Sequence, residues 1–236
     1  MRNYIELNGK SSAEISGLLI QKLPPISKPK MRTQVEEIDG RAGDIITQLG
    51  FSAYDKIVEI GLYGVFDIDD VITYFNGSGQ VIFSNEPDKY YNYQILEQID
   101  YERLIRFRTA KVKLHVQPFK YSSVEATKVY TVFQNNQISV QNNGNYFSKP
   151  VITIKGSGTI NLNVNGYQVL VIDLSTNDEI VIDTANMEAY NPTNQNLMNR
   201  YVTGDYNNLY LNVGTNTISW SGTINEIDIK NYSRWL

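Results

Sequence analysis

Apolar and polar residues alternate along several short segments of this chain, and that alternation predicts β-strands. Two segments show it clearly, KIVEIGLY at residues 56–63 and KVKLHVQ at residues 111–117. The residues on their apolar sides are Val58, Ile60, Leu62, Val112, Leu114 and Val116. A period of two residues is that of a strand with one face in a core and the other in solvent. Both segments are therefore predicted to be half-buried strands.

One segment has a helical pattern instead, between Asp67 and Asn76. Its apolar residues are spaced i, i+3, i+4 and i+7, and they are Ile68, Val71, Ile72 and Phe75. Asp67 is a suitable N-cap, and Gly77 is a suitable stop. The sequence thus predicts one short helix near residues 67–76 among the strands.

The composition changes near residue 131, where an Asn- and Gln-rich segment almost without charge begins. We place a domain boundary there, giving residues 1–130 and 131–236. Beyond the boundary, Asn165-Gly166 predicts a two-residue hairpin turn before YQVLVIDL. Further short strands are predicted in EIVID, LYLNV, TISW and INEIDI, with a turn at residues 214–216. This spacing is typical of an antiparallel sandwich of about 100 residues.

The composition agrees with an all-β fold. Aromatic residues make up 11% of the chain and charged residues only 19%, with 17 tyrosines. Such a composition fits strands joined by polar turns better than packed helices. The predicted fold class is all-β with one short α-helix, in two domains.

Charge and cysteine content exclude several function classes. The chain has no cysteine, so disulfides, thiolate metal sites and a cysteine nucleophile are excluded. A net charge of −4 argues against affinity based on neutralising phosphates. The start, MRNYIELNGKSS, does not resemble a signal peptide, and no apolar run approaches the roughly 20 residues that a membrane span needs. We expect a soluble cytosolic product without membrane insertion.

The segment VEEIDGRAGD, residues 35–44, raises the question of catalysis because it concentrates four carboxylates around one arginine. Adjacent strand residues point to opposite faces, so Glu36 and Glu37 do not form a carboxylate pair unless the chain bends. The segment also lacks the ligand spacing of a calcium loop and the Gly-Lys-Ser/Thr of a phosphate loop. We interpret it as a strand ending in a turn, with Arg41 free to pair with Asp39, Asp44 or a neighbouring chain.

His115 is the only histidine, and it falls on the polar side of its predicted strand. A Ser-His-Asp arrangement or a zinc site would have to use it, yet nothing near it in sequence resembles a nucleophile elbow or a second ligand. We therefore expect a solvated or interfacial histidine, no catalytic residue and no metal or cofactor.

Two further groups of residues could bind a ligand. A basic run could follow a phosphate backbone, although acidic residues directly precede it, and a strand face exposed to solvent or to a subunit is favoured. Its members are Arg103, Arg106, Arg108, Lys111, Lys113 and Lys120. The aromatic residues Tyr90, Tyr91, Tyr93, Trp220 and Trp235 could stack on sugar rings, but packing in a core or at a subunit contact is favoured.

Several blocks, in order along the chain, resemble the distal tail (Dit) proteins of siphovirus-type phages and prophages of Gram-positive bacteria. In the first half these are VEEIDGRAGDI, KIVEIGLY, DIDDVITYF, FSNEPDKYYNY and DYERLIRFRTAKVKLHVQPFKY. In the second half they are GNYFSKPVITIKGSG, IDLSTNDEIVIDTANMEAY and GTNTISWSGTI. Together the blocks cover most of both halves of the chain.

This resemblance implies a structural virion protein rather than an enzyme. It implies an N-terminal β-sandwich that builds a homohexameric ring around a channel for DNA, and a C-terminal galectin-like or carbohydrate-binding-module-like sandwich. The implied partners are other copies of the chain, the tail tube protein, the tail-associated lysin or central fibre, and a receptor-binding protein, with DNA only as passing cargo. The implied location is the tail tip of the virion, after assembly in the host cytoplasm.

The resemblance also suggests a role for the charged segment, as contacts between subunits through Glu37, Asp39, Arg41 and Asp44. Two alternatives remain. The C-terminal sandwich could be a module that binds cell-wall carbohydrate during adsorption, although a second half of bare-sandwich size leaves no room for an inserted binding module. An enzyme acting on cell-wall polymers is weaker still, because no acid and base pair is identifiable from spacing.

Overall fold

The computed structural model describes residues 2–236, which divide into two compact units, the residues up to Ser123 and Val124–Trp235. Strands predominate in both, so the predicted all-β class is confirmed. The division lies before the boundary predicted from composition, because Lys128–Tyr130 pairs with Gly214–Lys230 of the second unit. The described residues include no helix with the length and apolar character that crossing a bilayer requires.

The first unit consists of one antiparallel sheet, a separate two-stranded hairpin and two short helices. The strands are β1 Ile5–Leu7, β2 Lys10–Ser11, β3 Leu18–Lys22, β4 Met31–Glu36, β5 Ile45–Phe51, β6 Tyr54–Leu62, β7 Ser78–Phe83, β8 Lys89–Gln94 and β9 Thr109–Ser122. The sheet has the order β2-β1-β7-β8-β9-β6-β3, and the hairpin is β4-β5. The helices are α1 Ile68–Tyr74 and α2 Tyr101–Phe107, with a 3₁₀ helix at Ser12–Glu14.

Strands β6 and β9 pair with each other and form the middle of this core, as their alternation predicts. Their six predicted apolar residues, Val58, Ile60, Leu62, Val112, Leu114 and Val116, are all buried. Lys56 lies on the same side of β6 as these residues and is buried as well. The buried lysine is the exception to an otherwise apolar face.

Helix α1 confirms the predicted helix, with Asp67 as its N-cap accepting a 2.9 Å hydrogen bond from the Asp69 N–H. Its buried face is centred differently from the prediction, because Tyr74 is buried while Ile72 is 40% exposed. The Tyr74 hydroxyl donates to the Ile5 carbonyl at 2.9 Å. That hydrogen bond satisfies the polar end of a side chain that the apolar pattern counts as outward-facing.

Helix α2 was not predicted from the pattern. Its one buried residue is Leu104, and the i, i+3, i+4 spacing of Tyr101, Leu104 and Ile105 extends over little more than a single turn. Asp100 caps it by accepting from the Arg103 N–H at 2.8 Å, and Arg108 ends it in the left-handed conformation with φ 57°. Part of the basic run expected on a strand face therefore lies on a helix.

The second unit is a sandwich built on two long antiparallel strands, β12 Val151–Val164 and β17 Gly214–Lys230. Its other strands are β10 Lys128–Tyr130, β11 Gln137–Asn142, β13 Tyr167–Leu174, β14 Glu179–Asp183, β15 Glu188–Tyr190 and β16 Val202–Gly204. The short strand β18 Arg234–Trp235 lies outside this sandwich. Two 3₁₀ helices lie at Asn199–Tyr201 and Tyr206–Asn208.

Strands β12 and β17 change partners halfway, so each contributes to both layers. The first half of β12 pairs with β14 and the second half with β13, while β17 pairs first with β11 and then with β10. The register between β12 and β17 shifts after Lys155 and again after Ser157. Bulges of this kind let a strand bend from one layer into the other. Gly222, with φ +98°, lies at this bend, where an added Cβ would meet the Thr159 carbonyl oxygen at 2.4 Å.

The predicted Asn165-Gly166 turn joins β12 to β13, and both residues have positive φ, 50° and 86°. Two other predictions for this unit are wrong. Gly214–Asn216 begins β17 instead of forming a turn. TISW and INEIDI are strand as predicted, although both belong to that one strand. The segment LYLNV is not a strand, although two of its own residues, Leu209 and Leu211, are fully buried.

The two ends of the second unit are joined by side-chain hydrogen bonds. The Glu125 carboxylate accepts from the Ser233 N–H at 2.7 Å and from the Ser233 hydroxyl at 2.5 Å. Ser233 is fully buried. The unit therefore begins and ends at one place.

Candidate interaction surfaces

The segment VEEIDGRAGD forms the end of the β4-β5 hairpin. We call residues 31–51 the arm and residues 37–44 its tip. The strands pair in antiparallel register from Met31 opposite Phe51 to Glu36 opposite Ile45. In the tip, Gly40 and Gly43 have φ +79° and +82°, and the Arg41 N–H donates to the Ile38 carbonyl at 3.1 Å. The predicted strand ending in a turn is present.

No residue of the arm is buried, and only Met31, Ile45 and Phe51 are partly covered. Four apolar side chains of the arm have exposed fractions between 43% and 62%; they are Val35, Ile38, Ile46 and Leu49. A two-stranded hairpin without a covering layer is at best marginally stable in water. The arm therefore has the composition of a segment that packs against a surface outside its own unit.

The charged residues proposed for subunit contacts lie close together on this tip. Glu37, Asp39, Arg41 and Asp44 are all exposed. Within residues 2–236, none of them belongs to a salt bridge, and their side chains form no hydrogen bond. The expected pairing of Arg41 with Asp39 or Asp44 is absent from the described chain. The tip thus presents an unpaired guanidinium among carboxylates.

The chain at the base of the arm is held by hydrogen bonds from the adjoining sheet. Lys56 Nζ donates to the Pro25 carbonyl at 3.0 Å, and Asn85 Nδ2 donates to the Pro24 carbonyl at 3.1 Å. The Ser52 N–H donates to the Lys30 carbonyl at 2.9 Å, which closes the hairpin at its base. These hydrogen bonds hold the base of the exposed arm against the first unit.

Lys56 belongs to a buried charged group that we call the root cluster, formed by Lys56, Glu86, Tyr91 and Lys120. One Glu86 oxygen pairs with Lys120 Nζ at 2.5 Å, and the other accepts from the Tyr91 hydroxyl at 2.9 Å. Lys56 Nζ lies 4.7 Å from the centre of the Tyr91 ring. Burial lowers the pKa of Lys56 to about 8, although the Glu86 charge partly opposes this shift. The same burial raises the pKa of Tyr91.

The basic run does not form a continuous positive groove. Lys120 is buried in the root cluster, and Lys113 pairs with Glu97 and lies 3.6 Å from Asp55. Arg106 pairs with Glu102 at 3.7 Å, and Arg108 lies over the Phe66 ring, 4.7 Å from its centre. Carboxylates pair with three of the six members of the run, Arg106, Lys113 and Lys120, and so reduce the positive charge that a nucleic acid would require.

His115 lies on the solvent side of β9, as predicted. Its Nδ1 is 2.8 Å from an Asp55 oxygen, and its side chain is 34% exposed. The hydrogen bond from His115 is the main cause of the lowered pKa of Asp55, to which the Lys113 charge also contributes. Among residues 2–236, no three acidic or histidine side chains are grouped in a way that could hold a metal ion.

The aromatic residues considered for sugar stacking are largely used in packing. Trp220 is only 5% exposed and contacts Phe133 edge to face, with ring centres 4.9 Å apart. Tyr91 and Tyr93 are buried, and Trp235 is half-buried. Trp220 therefore presents no platform to a sugar. The exposed aromatic residues of the second unit lie elsewhere, at Tyr167 and Tyr210, which the sequence pattern did not single out.

No family model matches the chain, and no curated protein sequence matches it. Solved structures do match. The chain is similar to the SPP1 Dit protein (gp 19.1), described as a paradigm of the hub adsorption apparatus in phages that infect Gram-positive bacteria. That match has a TM-score of 0.68 and 15% identity, and covers 100% of both chains. A chain of the phage P2 baseplate in its activated conformation with Ca matches with a TM-score of 0.50 and 12% identity, over 98% of this chain and 97% of that one. The chain thus shares its whole fold with a phage hub protein.

Proposed function

We propose that this chain is a distal tail protein, a structural subunit at the tip of a long phage tail. The observation that supports this most is the match to the SPP1 Dit protein along the full length of both chains. Agreement over both units is more specific than agreement over a single sandwich, because sandwiches recur in many unrelated proteins. The blocks that resemble this family in sequence lie in both units as well.

The proposed working form is a ring of six copies around a channel that DNA crosses. The exposed arm supports self-association, and we assign its occupant as a second copy of this chain. Arm residues such as Ile46 and Leu49 are 62% and 51% exposed in one copy, and an interface between copies would cover them. Covering such side chains contributes about 25 cal/mol per Å² of apolar area removed from water.

The tip residues Glu37, Asp39, Arg41 and Asp44 are proposed to contribute charged contacts between copies. Each is exposed and outside any salt bridge within residues 2–236. A charged pair at the rim of an interface contributes little, whereas a desolvated and well-paired guanidinium contributes several-fold more. Arg41 is the member of the tip most suited to that second situation, since its planar donors can pair with a carboxylate in two places.

The ring would join the tail tube to the central fibre or lysin of the tail tip and to the receptor-binding apparatus. Six copies at −4 each carry −24 in total. Negative charge on the channel wall would repel the DNA backbone and keep it from adhering during passage. Neither step requires catalysis, so we assign the protein a structural role in the virion.

The purified chain should have the mass of a hexamer, about six times 26.9 kDa, in native mass spectrometry and in light scattering after size exclusion. The measurement is repeated from low to high micromolar protein, since association depends on concentration. A particle with the mass of one copy throughout that range would contradict the ring. Ring-shaped particles with a central hole in electron micrographs would support it independently.

A further inference from the structure

A cleft of about 340 Å³ lies at one end of the second unit, beside the Asn165-Gly166 turn. The start of β13 forms one side of it through Tyr167 and Gln168. The segment between β16 and β17 forms the other side through Asn208, Tyr210 and Asn212. All of these residues belong to the second unit, so the cleft is a property of that unit alone.

Three side-chain amides in this cleft have no protein partner. Gln168, Asn208 and Asn212 are exposed, and in the described chain their side chains form no hydrogen bond. Asn165 differs, because its amide donates to Asn216 Oδ1 at 2.9 Å and accepts from the Thr217 N–H at 2.9 Å. The Asn165 side chain is therefore used in hydrogen bonds within the unit, while the other three amides are free to bind a ligand. Each amide offers two donors and one acceptor oxygen.

Two tyrosines border the same cleft. Tyr167 is 78% exposed, and Tyr210 is 37% exposed. Tyr210 is held by an edge-to-face contact with Phe147, with ring centres 5.5 Å apart. A tyrosine offers a rigid apolar face and a polar hydroxyl at little entropic cost. Tyrosine faces beside unpaired amides suit a ligand with both apolar and hydroxylated surfaces.

The cleft contains no charged side chain among its lining residues. A site for a phosphate, a carboxylate or an ammonium group would place an opposite charge or a helix terminus in the wall. The lining instead consists of amides, tyrosines and the buried Val164 and Val169. The ligand that this chemistry complements is therefore polar and uncharged.

We propose that this cleft binds a neutral saccharide. The C–H face of a sugar ring would lie against Tyr167, and its hydroxyls would exchange hydrogen bonds with the amides of Gln168, Asn208 and Asn212. A pair of neighbouring hydroxyls is both donor and acceptor, which matches the double character of an amide. This inference goes beyond the structural role proposed above, and it does not depend on Trp220 or Trp235.

The test uses the full-length chain and a panel of neutral tetrasaccharides built from glucose, galactose and N-acetylglucosamine. Saturation-transfer NMR detects contact between protein and sugar, and titration calorimetry gives the affinity, expected in the millimolar range. Tyr167→Ala should weaken binding at least about tenfold, while Tyr167→Phe keeps the ring face and should stay within about threefold. Tyr63→Ala, which removes an exposed tyrosine of the first unit, is the matched control and should change nothing.

Three results would overturn the proposal. One is the absence of saturation transfer from every sugar in the panel at about 10 mM, a concentration that detects millimolar affinity. The second is binding that Tyr167→Ala leaves intact, which would place the sugar elsewhere. The third is displacement of the sugar by a phosphate-bearing polyol at lower concentration, which would indicate a charged ligand. The mass of Tyr167→Ala, measured in parallel, separates loss of sugar binding from loss of assembly.

Discussion

Arg41 lies at the end of the arm among carboxylates, and in residues 2–236 it forms no salt bridge with any of them. If the tip meets a neighbouring copy, Arg41→Ala should weaken assembly while leaving the fold of one copy unchanged. We expect the concentration at half-dissociation to rise at least about tenfold, equivalent to about 1.4 kcal/mol. Sedimentation velocity over a dilution series measures this change.

The control for Arg41→Ala is Lys10→Ala, which removes an exposed cation outside the arm. Both variants make the net charge more negative by one unit, so a general charge effect would affect them equally. A variant at Arg41 that dissociates at the same concentration as the unmodified chain would exclude this residue from the seam.

Lys56 gives the clearest dependence of stability on pH. Its pKa in the folded chain is about 8, below the ordinary value of 10.5, because burial disfavours the charged form. Between these two pH values Lys56 is protonated in the unfolded chain and neutral in the folded chain. The free energy of unfolding therefore rises with pH across this window. Below about pH 8 the buried charge is present and its full cost applies.

Lys56→Met removes that titration and keeps the volume of the side chain. We expect the free energy of unfolding of the unmodified chain, minus that of Lys56→Met, to rise by about 1–3 kcal/mol from pH 7 to pH 10.5. Urea unfolding at several pH values measures it, and subtraction cancels the tyrosines that both chains share. If the difference between the two free energies of unfolding stays constant or falls with pH, burial does not lower the pKa of Lys56.

Single residues were predictable from sequence where the strand period alone decides their environment. His115 was placed correctly on the solvent side because β9 alternates without interruption. Lys120 was assigned to an exposed basic run but is buried against Glu86, since its partner is 34 residues away in sequence. The buried Trp220 and the exposed Tyr167 likewise depend on which strand faces which, a long-range fact that local pattern does not contain.

At the scale of elements, the arm is the part of the first unit that contains no buried residue, and its ring contact with the rest of the unit is that of Phe51 with Phe119. Replacing residues 32–50 by an Asn-Gly turn leaves Met31 paired with Phe51 and keeps the Phe51 contact with Phe119. The shortened chain should keep its unfolding midpoint within about 2 °C, because little buried area is lost. It should also lose hexamer in native mass spectrometry.

Two glycines of β12 and β17 provide a matched pair for testing the bend between layers. Gly222→Ala places a Cβ against the Thr159 carbonyl oxygen in a backbone conformation with φ +98°, whereas at Gly158, with φ +71°, nothing lies within 4 Å of the added atom. We expect Gly222→Ala to destabilise the second unit by more than about 2 kcal/mol and Gly158→Ala by about 1 kcal/mol. Denaturant unfolding followed by Trp220 fluorescence measures both.

A smaller loss at Gly222 than at Gly158 would mean that the bend tolerates a side chain and that the strands switch layers for another reason. Equal losses would indicate that only the backbone conformation matters, without the contact to the neighbouring strand.

Elements were predictable where one face is apolar and the other polar. Helix α1 and the Asn165-Gly166 hairpin followed from local spacing and turn chemistry. Helix α2 was not predicted because its apolar residues, Tyr101, Leu104 and Ile105, span little more than one turn among charged residues. LYLNV alternates like a strand but is irregular in structure. Its alternation arises because Leu209 and Leu211 are buried in the core, although the segment does not form a strand.

At the scale of the whole molecule, an identity of 15% with the SPP1 Dit protein accompanies agreement along the entire chain. Such agreement with so few shared residues is possible because apolar volume and period define a sandwich core, while individual core residues can be exchanged. The all-β class was predictable for that reason. The proposed contact between copies is not predictable in this way, because it depends on surfaces of a second molecule that one sequence does not place.

The hydrogen bonds between Glu125 and Ser233 place the beginning and the end of the second unit next to each other. A unit whose two ends are adjacent can be inserted into, or removed from, a chain as one block. A recombination event that exchanged everything between those two positions would replace the second unit as a whole, because both splice points lie side by side. A chain with this arrangement would exchange the entire surface of its second unit in one genetic step.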